Sequence, residues 1–362
     1  MSRIESLIER LGFADSRIDF GRRVLIRRGR AVSGRVGIRS VLVCSMLLVV
    51  ALVVAVISLG TGDFDVPPLK VVETILGGGT PADHLAIVEW RMPRVLAALG
   101  VGAALGASGA LFQSLTRNPL GSPDIIGFNV GAYTGALVVM VVSGAGYAWA
   151  AAGSVVGGLL TALAVYLLAY RRGVQGFRLI IVGIALTAML QSVNTWLIYR
   201  TDLGDSMLAA AWGAGTLNGV KWPLAVPLLV ALAVLAVPTI VVARRMHILD
   251  LGDDAAQALG LRTERVRLAM IVVGVALSAV AVALAGPIAF VALAAPQLAS
   301  RLARTAGVSV VPAAAMGALL LVLSDFIAQN AFAPTQLPVG VVTVSIGGVY
   351  LVWLLAVQAR RQ

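Results

Sequence analysis

Apolar residues fall along this chain in long unbroken runs rather than at the two-residue or 3.6-residue spacing of half-buried elements. The runs approach the roughly 20 residues that carry a helix across a bilayer's hydrocarbon. On that scale the pattern predicts helices near 41–60, 94–113, 124–143, 147–169, 178–198, 224–243, 267–286, 288–303, 308–331 and 338–358. About ten transmembrane helices make an all-α integral membrane protein whose membrane domain covers residues 41–362. The run at 288–303 is short and follows Gly286-Pro287, which predicts a broken or part-depth helix. The run at 41–60 is long enough to span and has no small-residue cleavage pattern after it, which predicts an anchor rather than a secretory signal.

Polar interruptions set the orientation. Residues 1–40 hold ten arginines and read as a basic cytoplasmic tail, either resting on anionic lipid or free of it. Ten spans put both termini on one side, and 23 of the 28 basic residues then share that side against five on the other. The positive-inside rule places both termini in the cytoplasm. In the fifth span, Thr187, Gln191 and Asn194 fall on one helical face. They either bond neighbouring helices or line a passage. Gly102/Gly106, Gly131/Gly135 and Gly153/Gly157 have the spacing that lets helix backbones approach closely.

Composition agrees with the pattern: 59% of residues are in the AVILMFWYC set and 12% are charged. Mean hydropathy is +0.95. Such a chain has too little polar surface to cover a soluble core, which excludes soluble enzymes, nucleic-acid-binding domains and disordered proteins despite a net charge of +11. One cysteine, Cys44, and two separated histidines, His84 and His247, provide neither a disulfide nor a metal-ligand set. The chain has no GxxxxGK[ST] phosphate loop, no catalytic Ser-His-Asp or Cys-His set and no HExxH, so no enzyme activity of its own is expected.

Three segments are not asked for by apolar packing. Arg91-Met92-Pro93-Arg94 sits at the outer mouth of the second span, where basic residues are disfavoured; it serves an acidic docking partner or snorkels to lipid phosphate. Arg117 to Asp124 (RNPLGSPD) packs two prolines and a glycine into a tight inner turn, either a constriction or a plain connection. Leu251 to Gly260 (LGDDAAQALG) predicts a short cytoplasmic helix capped by Asp253 or Asp254 and stopped by Gly260, shaped for a groove of another protein.

Together with Gly109 to Ser114 (GALFQS), Gly286 to Val291 (GPIAFV) and Leu337 to Thr343 (LPVGVVT), these segments resemble the FecCD family from about residue 90 to the end. That resemblance implies a permease subunit of a binding-protein-dependent ABC importer with type II architecture, in the bacterial cytoplasmic (inner) membrane. Within the family, Asn118 to Gly127, Phe177 to Gly183, Thr216 to Gly219 and Gln336 to Ser345 are similar to the ferric-enterobactin permeases. The similarity implies a catecholate or related ferric siderophore and a heterodimer with a FepD-like second permease. It also implies two ATP-binding subunits that hold ATP and Mg, an extracytoplasmic siderophore-binding protein, and no cofactor on this chain. Haem or cobalamin import is the alternative within the family.

The resemblance also assigns roles. Arg91 and Arg94 become salt-bridge anchors for glutamates of the binding protein. Asn118, Pro119 and Leu120 become an inner gate, with Gly173 and Val174 as its counterpart between spans four and five. Gly252, Asp253, Asp254, Ala255, Ala256, Leu259 and Gly260 belong to a coupling helix at about 250–260 that docks on the ATPase. The family implies an inverted repeat relating spans 2–5 to 7–10. Two departures stand out. Gln297 occupies the place of a histidine common in the family, and 330–338 lacks the basic docking residue of some members. Asp325 is the one acid placed deep in a span: a structural pair with Gln329 one turn away, or the proton relay of a secondary transporter.

Overall fold

A computed structural model of the protein describes residues 13–15, 24–27, 34–62, 64–143, 147–170, 176–305 and 307–359. Three short strands precede the first span: β1 (Phe13–Asp15), β2 (Val24–Arg27) and β3 (Gly34–Gly37). They pair antiparallel in the order β1-β2-β3, with Phe13 opposite Arg27 and Val24 opposite Gly37. The stretch read as a plain basic tail therefore carries a small sheet, made of runs too short to register at the length of a span.

From Ile38 onward the described elements are helical. Every predicted span has a helix at its position: α1 (Ile38–Gly60), α4 (Met92–Thr116), α5 (Phe128–Ser143), α6 (Tyr147–Ala169), α7 (Gly176–Tyr199), α9 (Trp222–Leu249), α11 (Thr263–Ala285), α12 (Val291–Ala303), α13 (Val310–Asn330) and α14 (Val339–Ala359). Among the described residues, seven helical stretches are long and apolar enough to cross a membrane. Helices α5, α12 and α14 fall outside those seven. Four short elements have no counterpart in the hydropathy pattern: α2 (Pro68–Ile75), α3 (Pro81–His84), a π-helical turn at Leu85–Arg91, and α8 (Leu203–Gly213). They are too short or too polar for it. Pro68 and Pro81 start the first two, and a reciprocal Thr80–Asp83 capping box closes the entry to α3. The short helix α10 (Asp253–Ala258) completes the set.

Helix α4 is the axis of the bundle, with sixteen buried residues in its 25. It crosses α13 where Gly102 and Gly106 lie against the backbones of Gly317 and Ala313, so close that a Cβ at either glycine would collide with a carbonyl oxygen. A third glycine, Gly109, lies equally close to the Ala292 carbonyl of α12. Gly131 and Gly135 of α5 meet Gly157 and Gly153 of α6 in the same way. The predicted glycine pairs thus sit at helix crossings.

Candidate functional site

Helix α4 gives the bundle two ends, one at Arg94 and one at Arg117, and the candidate residues gather at both. At the first, Arg94 forks onto Asp325 of α13: Nε and Nη2 donate to the carboxylate at 2.9–3.2 Å. Its Nη1 donates to Gln336 Oε1 at 3.0 Å, and Gln329 Nε2 donates to Asp325 Oδ2 at 2.8 Å. The carboxylate side chain is 1% exposed and the guanidinium 12%. Arg91 donates to the backbone carbonyls of Leu59 and Phe64, clamping the chain as it leaves α1. Both arginines make hydrogen bonds within the chain. A buried carboxylate without a counter-charge costs more than an exposed guanidinium gains, so Arg94 turns inward.

A cavity of about 750 Å³ opens between α5, α7 and α14, lined among others by Tyr133, Gln191, Asn194, Ala214, Pro287 and Gly340. Of the polar face expected on α7, Gln191 and Asn194 reach this cavity. Among the described residues the buried Asn194 Oδ1 atom has no hydrogen-bond partner. Thr187 instead donates to its own helix at Gly183 O, 2.7 Å away. Tyr133 stacks on Trp212 of α8 with ring centroids 5.8 Å apart, and its hydroxyl donates to Ala209 O.

The cavity wall includes the break between α11 and α12. Helix α11 stops at Gly286, whose φ of +70° and close approach to Trp212 O admit no side chain. Phe290 then opens α12 at φ +77°, a left-handed position unusual for a residue with a Cβ. Asp124 supports it by accepting the Phe290 N–H at 3.3 Å while also accepting from Asn129. In turn Asn129 Oδ1 accepts from Ser278 of α11 at 2.9 Å. Gln297 of α12 donates to Gln113 Oε1 at 2.7 Å, and Gln113 donates to Leu293 O at 2.9 Å. Sequence reasoning gives Asp124 no role of its own because the peptide it braces, Phe290 N–H, lies 166 residues along the chain. An acid flanked by Ser122-Pro123 and an apolar run is the one local signal for it.

At the Arg117 end the turn is rigid. Asn118 Oδ1 accepts the Leu120 N–H at 2.9 Å, Gly121 N–H donates to Asn118 O, and Leu120 projects half-exposed. Gly176 at the start of α7 presses on the Thr116 backbone, so the α7 entry abuts this turn. Gly173 and Val174 lie outside the described residues. Beside the turn, Gly252 at φ +104° leads into α10 and Gly260 at φ +81° ends it. Hydrogen bonds from Gly260 N to Gln257 O and from Leu261 N to Ala256 O close its last turn. The N-cap is Gly252 with no side-chain cap, which corrects the expectation that an aspartate caps this helix. Asp253 turns away from the helix end to Arg117 and Arg267, both nearer charges than the helix N–H groups can match. Asp254, Ala255 and Leu259 face outward, while Ala256 is fully buried.

Known proteins are similar to this chain in sequence and in architecture. A family model described as the FecCD transport family matches residues 47–357. The ferric enterobactin transport system permease protein FepG of Escherichia coli (strain K12) is 48% identical over 90% of this chain and 98% of its own. The iron(3+)-hydroxamate import system permease protein FhuG of Bacillus subtilis (strain 168) is 34% identical, covering 88% of this chain and 97% of its own. A solved structure of a metal-chelate type ABC transporter in an inward-facing conformation superimposes with a TM-score of 0.78 at 26% identity, covering 87% of this chain and 98% of that one.

Proposed function

The chain belongs to the FecCD transport family, and from that membership we propose that it is a permease half of an ABC importer that carries ferric siderophore across the bacterial cytoplasmic membrane. One observation carries the substrate class: 48% identity to a ferric enterobactin permease over nearly the whole length of both chains. In this reading the ten helices cross the membrane with both termini cytoplasmic, as the 23-to-five division of basic residues supports. A FepD-like second permease completes the passage. Two ATP-binding subunits hold ATP and Mg at the Arg117 end, and a siderophore-binding protein docks at the Arg94 end.

The geometry fits such a cycle. The outward face of α10, small and apolar around Ala255 and Leu259, suits a groove on the ATPase. The Asn118–Leu120 turn beside it serves as the inner gate, held at its base by backbone hydrogen bonds. The cavity offers amides rather than charges to a ferric chelate, so it holds cargo weakly and does not oppose release. Arg91 and Arg94 shape the docking face through their internal partners. Uptake of radioactive ferric enterobactin in iron-starved cells tests the proposal. Deletion of the gene is expected to abolish uptake and the restored gene to recover it. Unchanged iron uptake with loss of haem or cobalamin uptake overturns the substrate class.

A further inference from the structure

The start of α10 is tied to the end of α4. Ser114 Oγ donates to Asp250 Oδ1 at 2.8 Å. Three residues on, Arg117 Nη2 donates to Asp253 Oδ1 at 2.8 Å and lies 3.4 Å from Leu249 O. Asp253 is gripped a second time by Arg267 of α11, whose Nη2 meets both carboxylate oxygens at 2.8 and 2.7 Å. Asp253 is the first residue of α10, so force on that helix arrives at its carboxylate. Arg117 is the C-cap of α4 at φ +49°, and the next peptide is Asn118 of the gate turn. The left-handed glycines at 252 and 260 leave α10 joined to its neighbours by bends rather than by continuous helix. The route from α10 to the gate is therefore one ion pair and one peptide bond long.

We infer that the Arg117–Asp253 ion pair is the link through which movement of α10 reaches the gate turn, with Arg267 as the pivot that keeps Asp253 on α11. This inference rests on the permease reading above. Both members are solvent-accessible, with side chains 55% and 38% exposed, so the pair adds little to folding and its removal leaves the bundle standing.

The test uses the complete transporter in liposomes, with both permeases, the ATPase subunits and the binding protein, and reads ferric enterobactin imported per ATP hydrolysed. Arg117→Gln is expected to lower that ratio by about fivefold or more. Arg117→Lys recovers part of it, and adding Asp253→Asn to Arg117→Gln costs less than the two single losses summed. A merely structural pair moves the melting temperature and leaves the ratio alone. An unchanged ratio in Arg117→Gln, or losses that add in the double variant, overturns the link. Should Arg117→Gln fail to assemble, Arg117→Met replaces it: an unchanged ratio overturns the link, and a lowered ratio supports it. A wild-type complex that imports nothing on ATP overturns the permease reading and the link together.

Discussion

At the scale of single residues, Asp325 and Arg94 show what a buried acid in an apolar helix demands. The carboxylate takes donors from Arg94 and Gln329. Asp325→Asn leaves a guanidinium without its counter-charge, and about 3–5 kcal/mol of stability is expected to go with it. A thermal melt in detergent checks this; Arg94→Gln combined with Asp325→Asn should lose less than the two single changes summed. If Asp325 were instead a proton relay, the Asn variant would keep its melting temperature and lose all driving force. The acid itself was legible as a polar outlier in an apolar run. Its charged partner Arg94 was not, since 231 residues separate them and helix rotation, invisible in one sequence, decides which side chains meet. Gln297 gives a second case. Gln297→Leu strands the Gln113 Oε1 acceptor, and a loss of about 1–3 kcal/mol is expected in the same melt.

At the scale of elements, glycine spacing was the most readable feature. The pairs on α4, α5 and α6 meet partner backbones where the spacing put them. Gly106→Val drives a side chain into the Ala313 carbonyl, and loss of the folded permease from the membrane is expected. Gly204→Ala, where nothing lies within 4 Å, should be harmless; immunoblots of membrane fractions compare the two. Helix positions were legible because a bilayer imposes a length. The helices at 68–91 and 203–213 were not, because they are fixed by proline starts, a capping box and tertiary contact rather than by apolar length. The break at Gly286-Pro287 was visible as a proline after a glycine. Its support by Asp124, 166 residues away from Phe290, was not.

At the scale of the whole molecule, one chain supplies only part of a working surface. Helix α7 buries few of its residues within the chain and shows Phe177, Ile184, Met189 and Trp196 on its exterior. Such a face calls for lipid or another protein to cover it. The chain alone is expected to hydrolyse no ATP above background in a phosphate-release assay, and mixing with the ATPase subunits should bring activity on. Residual ATPase activity in the isolated chain would contradict the lack of a phosphate-binding loop in its sequence.

The amide pair Gln113–Gln297 carries a consequence for how the transporter meets acid conditions. An imidazole at position 297 would gain and lose charge near neutrality, and the grip on α12 would vary with cytoplasmic acidity. Two amides grip with the same strength from acid to alkaline medium. Any slowing of iron uptake in acidified cells then does not originate in this amide pair.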